Sequence, residues 1–172
     1  MTRTTAFLVV VVTITTLTFG TCNAEAGKHG RMMKGGMRGH MMGERGHMDK
    51  VSVKRHRLYM RGGLPAEYAG KTNPYKPTPD LIKRGEEIYM QQCKACHGES
   101  GRGDGPAAKG LDPKPSDLSF IMKRHIATDE YLFWTIAEGG KPIGSTMPAY
   151  KGILSEKDIW AVILYLRDRF GR

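Results

Sequence analysis

The chain has 172 residues and a formal net charge of +10, room for one domain with extensions but not for two full domains. The charge is unevenly spread: residues 81–172 carry 14 Lys/Arg against 12 Asp/Glu, and residues 25–80 carry 12 against 5. The basicity therefore belongs to an N-terminal segment and marks no nucleic-acid-binding domain, and three cysteines exclude a disulfide scaffold.

Arg3, the apolar but threonine-diluted run from Ala6 to Phe19 and the small residues after it predict an export signal over residues 1–26, cleaved after Ala24 or Ala26. That run is short for a membrane span of roughly 20 residues. Membrane association is expected only if Cys22 is lipidated or the signal stays uncleaved, so the expected location is the periplasm. Residues 27–63 are crowded with Gly, Met, His and basic residues, show no period of two or 3.6, and are expected to be disordered. Within them Met32, Met33, Met37, Met41, Met42 and Met48, with His29, His40 and His47, form a soft-donor set suited to Cu(I). The plainer reading is a flexible basic linker. Residues 64–79 hold Pro65, Pro74, Pro77 and Pro79 and predict an extended strap leading into a domain over 80–172.

Asp80, after Pro79, is placed to cap a helix on which Leu81, Gly85, Ile88, Tyr89 and Gln92 share a side. A mid-helix glycine costs about 1 kcal/mol relative to alanine, so Gly85 signals another element coming very close. A second helix is expected from Thr128 through Glu138, stopping at Gly139-Gly140. A last one follows Ser155, with Glu156 and Asp158 favourable in its first turn. Its stretch Ile159–Leu166 is apolar almost all round and needs more than one partner. Nothing alternates like a strand, and the expected fold is all-α.

Between the first two helices stands Cys93-Lys94-Ala95-Cys96-His97, the C-x-x-C-H signature of covalent haem c attachment. Two thiols one helical turn apart can add to the two vinyl groups of the macrocycle, and the following histidine is carried beneath the iron. A thioredoxin-type redox pair would want a βαβ setting. A zinc site would need four ligands, of which His125 is the only further candidate beside Cys93, Cys96 and His97. The sixth iron ligand has three downstream candidates, Met122, His125 and Met147. Met147, in Gly144-Ser145-Thr146-Met147-Pro148 between two helices, is the expected one. The glycines of the loop 98–105 are expected to let backbone lie close to a flat macrocycle.

On these residues, 80–172 resemble a class I c-type cytochrome: a helix running into C-x-x-C-H, a glycine-rich loop, a Met-Pro loop and an aromatic last helix. The resemblance implies three to four helices and long loops wrapped around one haem. It places Gly85, Tyr89 and Tyr165 where the first and last helices cross, and makes the Pro106 carbonyl the expected acceptor for His97 Nδ1–H, with Pro113 and Pro115 as alternatives. It further implies an electron-transfer protein, not a catalyst, working with redox partner proteins. The competing expectations are a haem subunit of a larger periplasmic or membrane-associated oxidoreductase, and a copper-handling protein with a haem domain.

Overall fold

Where the sequence pattern suggested only a disordered tail, the chain forms a helix. The computed structural model describes residues 49–172; the export signal, Cys22 and the Met/His-rich stretch with its copper reading lie outside the described residues. Lys50–Gly62, inside the segment expected to be disordered, is helix α1. Asp49 caps it, its Oδ1 accepting the Ser52 N–H at 2.7 Å. The buried face is only Val51, Ser52 and Arg55, too thin a stripe to show as periodicity. Tertiary contacts hold it instead. Arg55 Nη2–H donates to the Gly139 carbonyl at 2.6 Å, and its guanidinium lies 5.1 Å from the Trp134 ring centroid. Tyr59 meets Tyr131 edge-on at 5.4 Å.

Helix α2 spans Pro79–Ile88, and its cap is Thr78 rather than Asp80: Thr78 Oγ1 accepts the Leu81 N–H at 3.3 Å. Pro79 then takes the first helical position, where its missing N–H is not needed, and Asp80 sits favourably in the first turn. The helix widens into a π-helical turn at Tyr89–Cys93 and closes with a short α3, Lys94–His97. After a short α4 (Leu118–Ile121) comes α5 (Asp129–Glu138), capped by Thr128 and ended by Gly139 at φ +61°. The last helix, α6, runs over Glu156–Phe170 with Ser155 as its cap. The described residues contain no strand, only an isolated bridge between Lys151 and Leu154. None of their helices is long and apolar enough to cross a membrane. The fold is all-α.

The crossing of α2 and α6 organises the core. A Cβ on Gly85 would collide with the Ala161 carbonyl oxygen of α6 and stand 2.9 Å from Tyr165 Cβ, so only glycine lets the two backbones come this close. Four residues on, the fully buried Tyr89 ring packs 5.3 Å from Tyr165 and 5.9 Å from Phe170. On the other side of α6, Trp160 meets Phe133 of α5 at 4.6 Å. The all-round apolar α6 is thus covered by α2 on one flank and α5 on the other.

Residues 64–78 cross this helical layer without forming helix. The N–H groups of Gly70 and Asn73 donate to the carboxylates of Glu130 and Asp129 at 2.6 and 2.8 Å, and Lys71 pairs with Glu156 at 3.1 Å. Tyr68, buried against Phe133, donates to Glu138. The acidic first turn of α5 therefore both complements its own helix and ties down the strap.

Gly85→Ala tests the crossing. The added methyl meets backbone, which cannot step aside, so overpacking should destabilise the protein by about 3 kcal/mol. Urea titration followed by circular dichroism should show a lower midpoint with an unchanged slope.

Candidate functional site

The widened turn before α3 determines where the C-x-x-C-H side chains point. Tyr89 Oη–H donates to the Gly98 carbonyl at 2.6 Å, and Tyr150 Oη–H to the Gln92 carbonyl at 2.8 Å. These two bonds clamp the turn at both ends. Cys93 and Cys96 are free thiols, each half-buried. Burial, and secondarily Cys96, pushes the Cys93 thiol up to about 12. His97 is held below the usual histidine range chiefly by burial, opposed by its bond to Ser116 and by Asp49. Its imidazole is therefore neutral near pH 7.

His97 Nδ1 lies 3.1 Å from the Ser116 carbonyl oxygen. The acceptor is thus neither Pro106, the expected one, nor Pro113 or Pro115. Pro106 is exposed at the start of a 3₁₀ turn, Pro106–Ala108, one residue after Gly105, whose N–H donates to the Cys96 carbonyl at 3.1 Å. That bond directs the loop outward, and the chain returns to the imidazole only ten residues later.

Ser116 is itself held by a residue that no motif singled out. Asp49, besides capping α1, accepts from Ser52 Oγ–H at 2.8 Å and from the Asp117 N–H at 3.2 Å, while Ser52 Oγ accepts in turn from the Ser116 hydroxyl at 3.1 Å. The one sequence signal was local: an aspartate with a serine three residues on, as in an N-terminal helix cap.

The glycine loop has a role within the protein itself. A Cβ on Gly105 would stand 2.6 Å from the Lys94 carbonyl oxygen, and one on Gly103 would collide with the Pro115 carbonyl. These two glycines let the loop pack on the protein's own backbone around α3.

Cys93, Cys96, His97 and Met147 all line one cleft, with about 980 Å³ of empty space that is partly open to solvent. Its walls are mostly apolar, including Leu111, Leu132, Ile136, Val162 and Leu166. Met147 is brought there by a loop pinned to the end of α5: the Gly140 N–H donates to the Met147 carbonyl at 2.8 Å and the Tyr150 N–H to that of Ile136 at 3.2 Å. Met122 is buried in the core and His125 is exposed, and neither borders the cleft. His125 thus stands apart from the two cysteines, and the described residues contain no cluster of three His, Cys, Asp or Glu suited to a metal.

A c-type haem asks for two unpaired thiols, an imidazole with one nitrogen free for iron, and an apolar slot. The residues present meet each demand: the bond at Nδ1 leaves His97 Nε2 free, and the slot is lined as a flat hydrophobic group requires.

The Asp49 web is open to test by Asp49→Ala. Loss of the cap should cost about 1 kcal/mol, and hydrogen exchange should quicken at the Ser52 and Asp117 amides while α6 stays protected.

The family described as cytochrome c oxidase, cbb3-type, subunit III matches residues 80–166. The chain is similar to one of the subunits of nicotinate dehydrogenase from Pseudomonas putida, 27% identical over 151 residues. That match covers 84% of this chain but 12% of the relative, so the chain spans a small part of its length. A solved structure of the Kuenenia stuttgartiensis reducing HAO-like protein complex is similar at 27% identity, covering 55% of this chain and 46% of that one, with a TM-score of 0.46. Cytochrome cL from Methylophaga aminisulfidivorans is similar at 22% identity, covering 66% of each chain, with a TM-score of 0.41. Because the family match takes in just over half of the chain and contains the C-x-x-C-H motif, the chain belongs to this cytochrome c family and is an electron-transfer haem protein.

Proposed function

We propose that the chain is an exported single-haem cytochrome, with the haem attached through Cys93 and Cys96 and its iron held by His97 and Met147. The observation that carries this reading is the meeting of these four side chains on one apolar cleft, though Met147 is fifty residues from His97 in sequence. When bound, haem c supplies a one-electron Fe(III)/Fe(II) couple.

The remaining chemistry belongs to the chain. The Ser116 carbonyl accepts the Nδ1 proton of His97, which orients the ring and raises the basicity of Nε2. The Met147 thioether is a softer donor than imidazole and favours the reduced state, raising the potential relative to a bis-histidine site. Leu132, Ile136, Val162 and Leu166 give the cleft an apolar wall. With His97 and Met147 both holding the iron, no place would be left for a substrate, as suits a relay.

A second reading is that the chain works as the haem subunit of a larger oxidoreductase. It is favoured by the similarity, along most of this chain, to part of a multi-subunit dehydrogenase. Purification from native membranes and periplasm separates the two: a stoichiometric partner supports the larger assembly, and a lone haem protein supports the free carrier. Copper binding by the Met/His-rich stretch is a separate proposal, supported by the preference of Cu(I) for thioether sulfur. Its check is a Cu(I) titration of the full chain against a Met→Leu variant of residues 32–48.

The haem assignments have direct tests. After denaturation in acid and organic solvent the haem should stay with the protein, and Cys93→Ala or Cys96→Ala should sharply reduce the yield of holoprotein. Met147→Ala should abolish the weak near-infrared sulfur-to-iron charge-transfer band of the oxidised protein. It should also lower the potential by at least a tenfold step in the reduction equilibrium, about 59 mV for one electron. If Met122→Ala did this instead, the ligand assignment would be wrong.

A further inference from the structure

Two buried polar atoms on the wall of the cleft have no partner. Arg55 Nη1 and Thr135 Oγ1 are shut off from solvent and hydrogen-bonded to nothing among the described residues, and both residues line the cleft that holds Cys93, Cys96, His97 and Met147. The third such atom, His56 Nδ1, belongs to a residue that does not border it.

An unmet hydroxyl in a protein interior is costly, and an unmet guanidinium edge more so. Arg55 is 3% exposed, and the ion pairs of the described residues do not include it. Nη2 is committed, fixed on the Gly139 carbonyl at 2.6 Å, and the guanidinium is stacked 5.1 Å from the centroid of Trp134. A cation so placed, held by two contacts with one edge unpaired beside an apolar cleft, is set up for an anion that arrives with the cleft's occupant.

We propose that Arg55 and Thr135 form an anion subsite for a propionate carboxylate of the haem. The inference rests on the haem reading above and goes beyond it by giving α1 a part in the redox site. The macrocycle is apolar except for its two propionates, so a carboxylate is the anion it would bring to this wall. A guanidinium edge and a hydroxyl supply charge-assisted and neutral hydrogen bonds to the same group. Burial lowers the pKa of Arg55, as expected for a cation whose counter-ion is still to come. The cation of the subsite comes from an addition to the domain: α1, at Lys50–Gly62, precedes the family-matched residues 80–166, to which Thr135 belongs. A fixed positive charge there offsets the propionate and favours the reduced iron.

The test uses full-length holoprotein carrying Arg55→Gln, Arg55→Lys or Thr135→Val. For each, the potential is measured by spectroelectrochemistry, together with the propionate carboxylate bands in the reduced-minus-oxidised infrared spectrum. Arg55→Gln should shift the reduction equilibrium roughly tenfold toward the oxidised form, about 59 mV for one electron, and should move a propionate band. Arg55→Lys, which keeps the charge, should recover at least half of that shift, and Thr135→Val should move the same band with a smaller change in potential. The proposal is overturned if Arg55→Gln stays within twofold of the unmodified protein. An equal shift in Arg55→Lys and Arg55→Gln also overturns it, as does a fall in potential with the propionate bands unmoved, which is the signature of a merely loosened α1. Should neither Arg55 variant yield holoprotein, the Thr135→Val band decides. Absence of covalent haem in the unmodified chain would overturn the haem reading itself, an outcome distinct from a bound haem whose propionates ignore Arg55.

Discussion

The closeness of α2 and α6 at Gly85 is the constraint on which the rest of the domain depends. With the Ala161 carbonyl oxygen lying where a side chain would begin, the two helices are locked in register and orientation at that point. Tyr89, one turn further on at the start of the π-helical turn, is thereby delivered to the pocket made by Tyr165 and Phe170. From there its hydroxyl reaches the Gly98 carbonyl, just past the C-x-x-C-H turn. A packing requirement between helices remote in sequence thus becomes a positional requirement on Cys93, Cys96 and His97.

Support for the histidine comes from two directions that sequence distance keeps apart. From the C-terminal side of the motif, the loop returns Ser116 to Nδ1. From the N-terminal side, Asp49 and Ser52 hold Ser116 and Asp117 in place. The cap that starts α1 is therefore also a brace for the imidazole's acceptor. The same helix carries Arg55 to the cleft, against Trp134 of α5 and the Gly139 that ends it. Because Val51 and Arg55 of α1 line the cleft, the segment before the cytochrome domain is part of the site's surroundings and more than a tether.

Chemically, the site separates two jobs. The two thiols, the imidazole and the thioether that line the cleft are directional donor groups. The apolar walls from α5 and α6 lower the local dielectric, which makes every remaining charge count for more. In such a slot a single guanidinium is a large perturbation, whereas the surface ion pairs of this protein, such as Lys94–Glu99 at 2.9 Å, are screened and contribute little.

Much of this was legible in the sequence because it is local. The caps Thr128 and Ser155, the stop at Gly139 and the all-round apolar Ile159–Leu166 each follow from a residue and its near neighbours. So does the C-x-x-C-H motif, whose spacing carries its own chemistry. Gly85 announced a close approach because a mid-helix glycine is costly, although it could not say to what. The acceptor for His97 was not legible: a carbonyl is present at every residue, and only the path of the loop after Gly105 selects that of Ser116 over Pro106. Thr78 displaced Asp80 as the cap of α2 because Pro79 fits the first helical turn, leaving the residue before it to close the end. Helix α1 was hidden for the same kind of reason, since its stability comes from Asp49, Arg55 and Tyr59 meeting residues 67 to 84 positions away. Local chemistry determined the elements and the motif. Long-range packing alone decided which backbone oxygen faces the imidazole, why the loop glycines are needed, and which cation stands at the wall of the cleft.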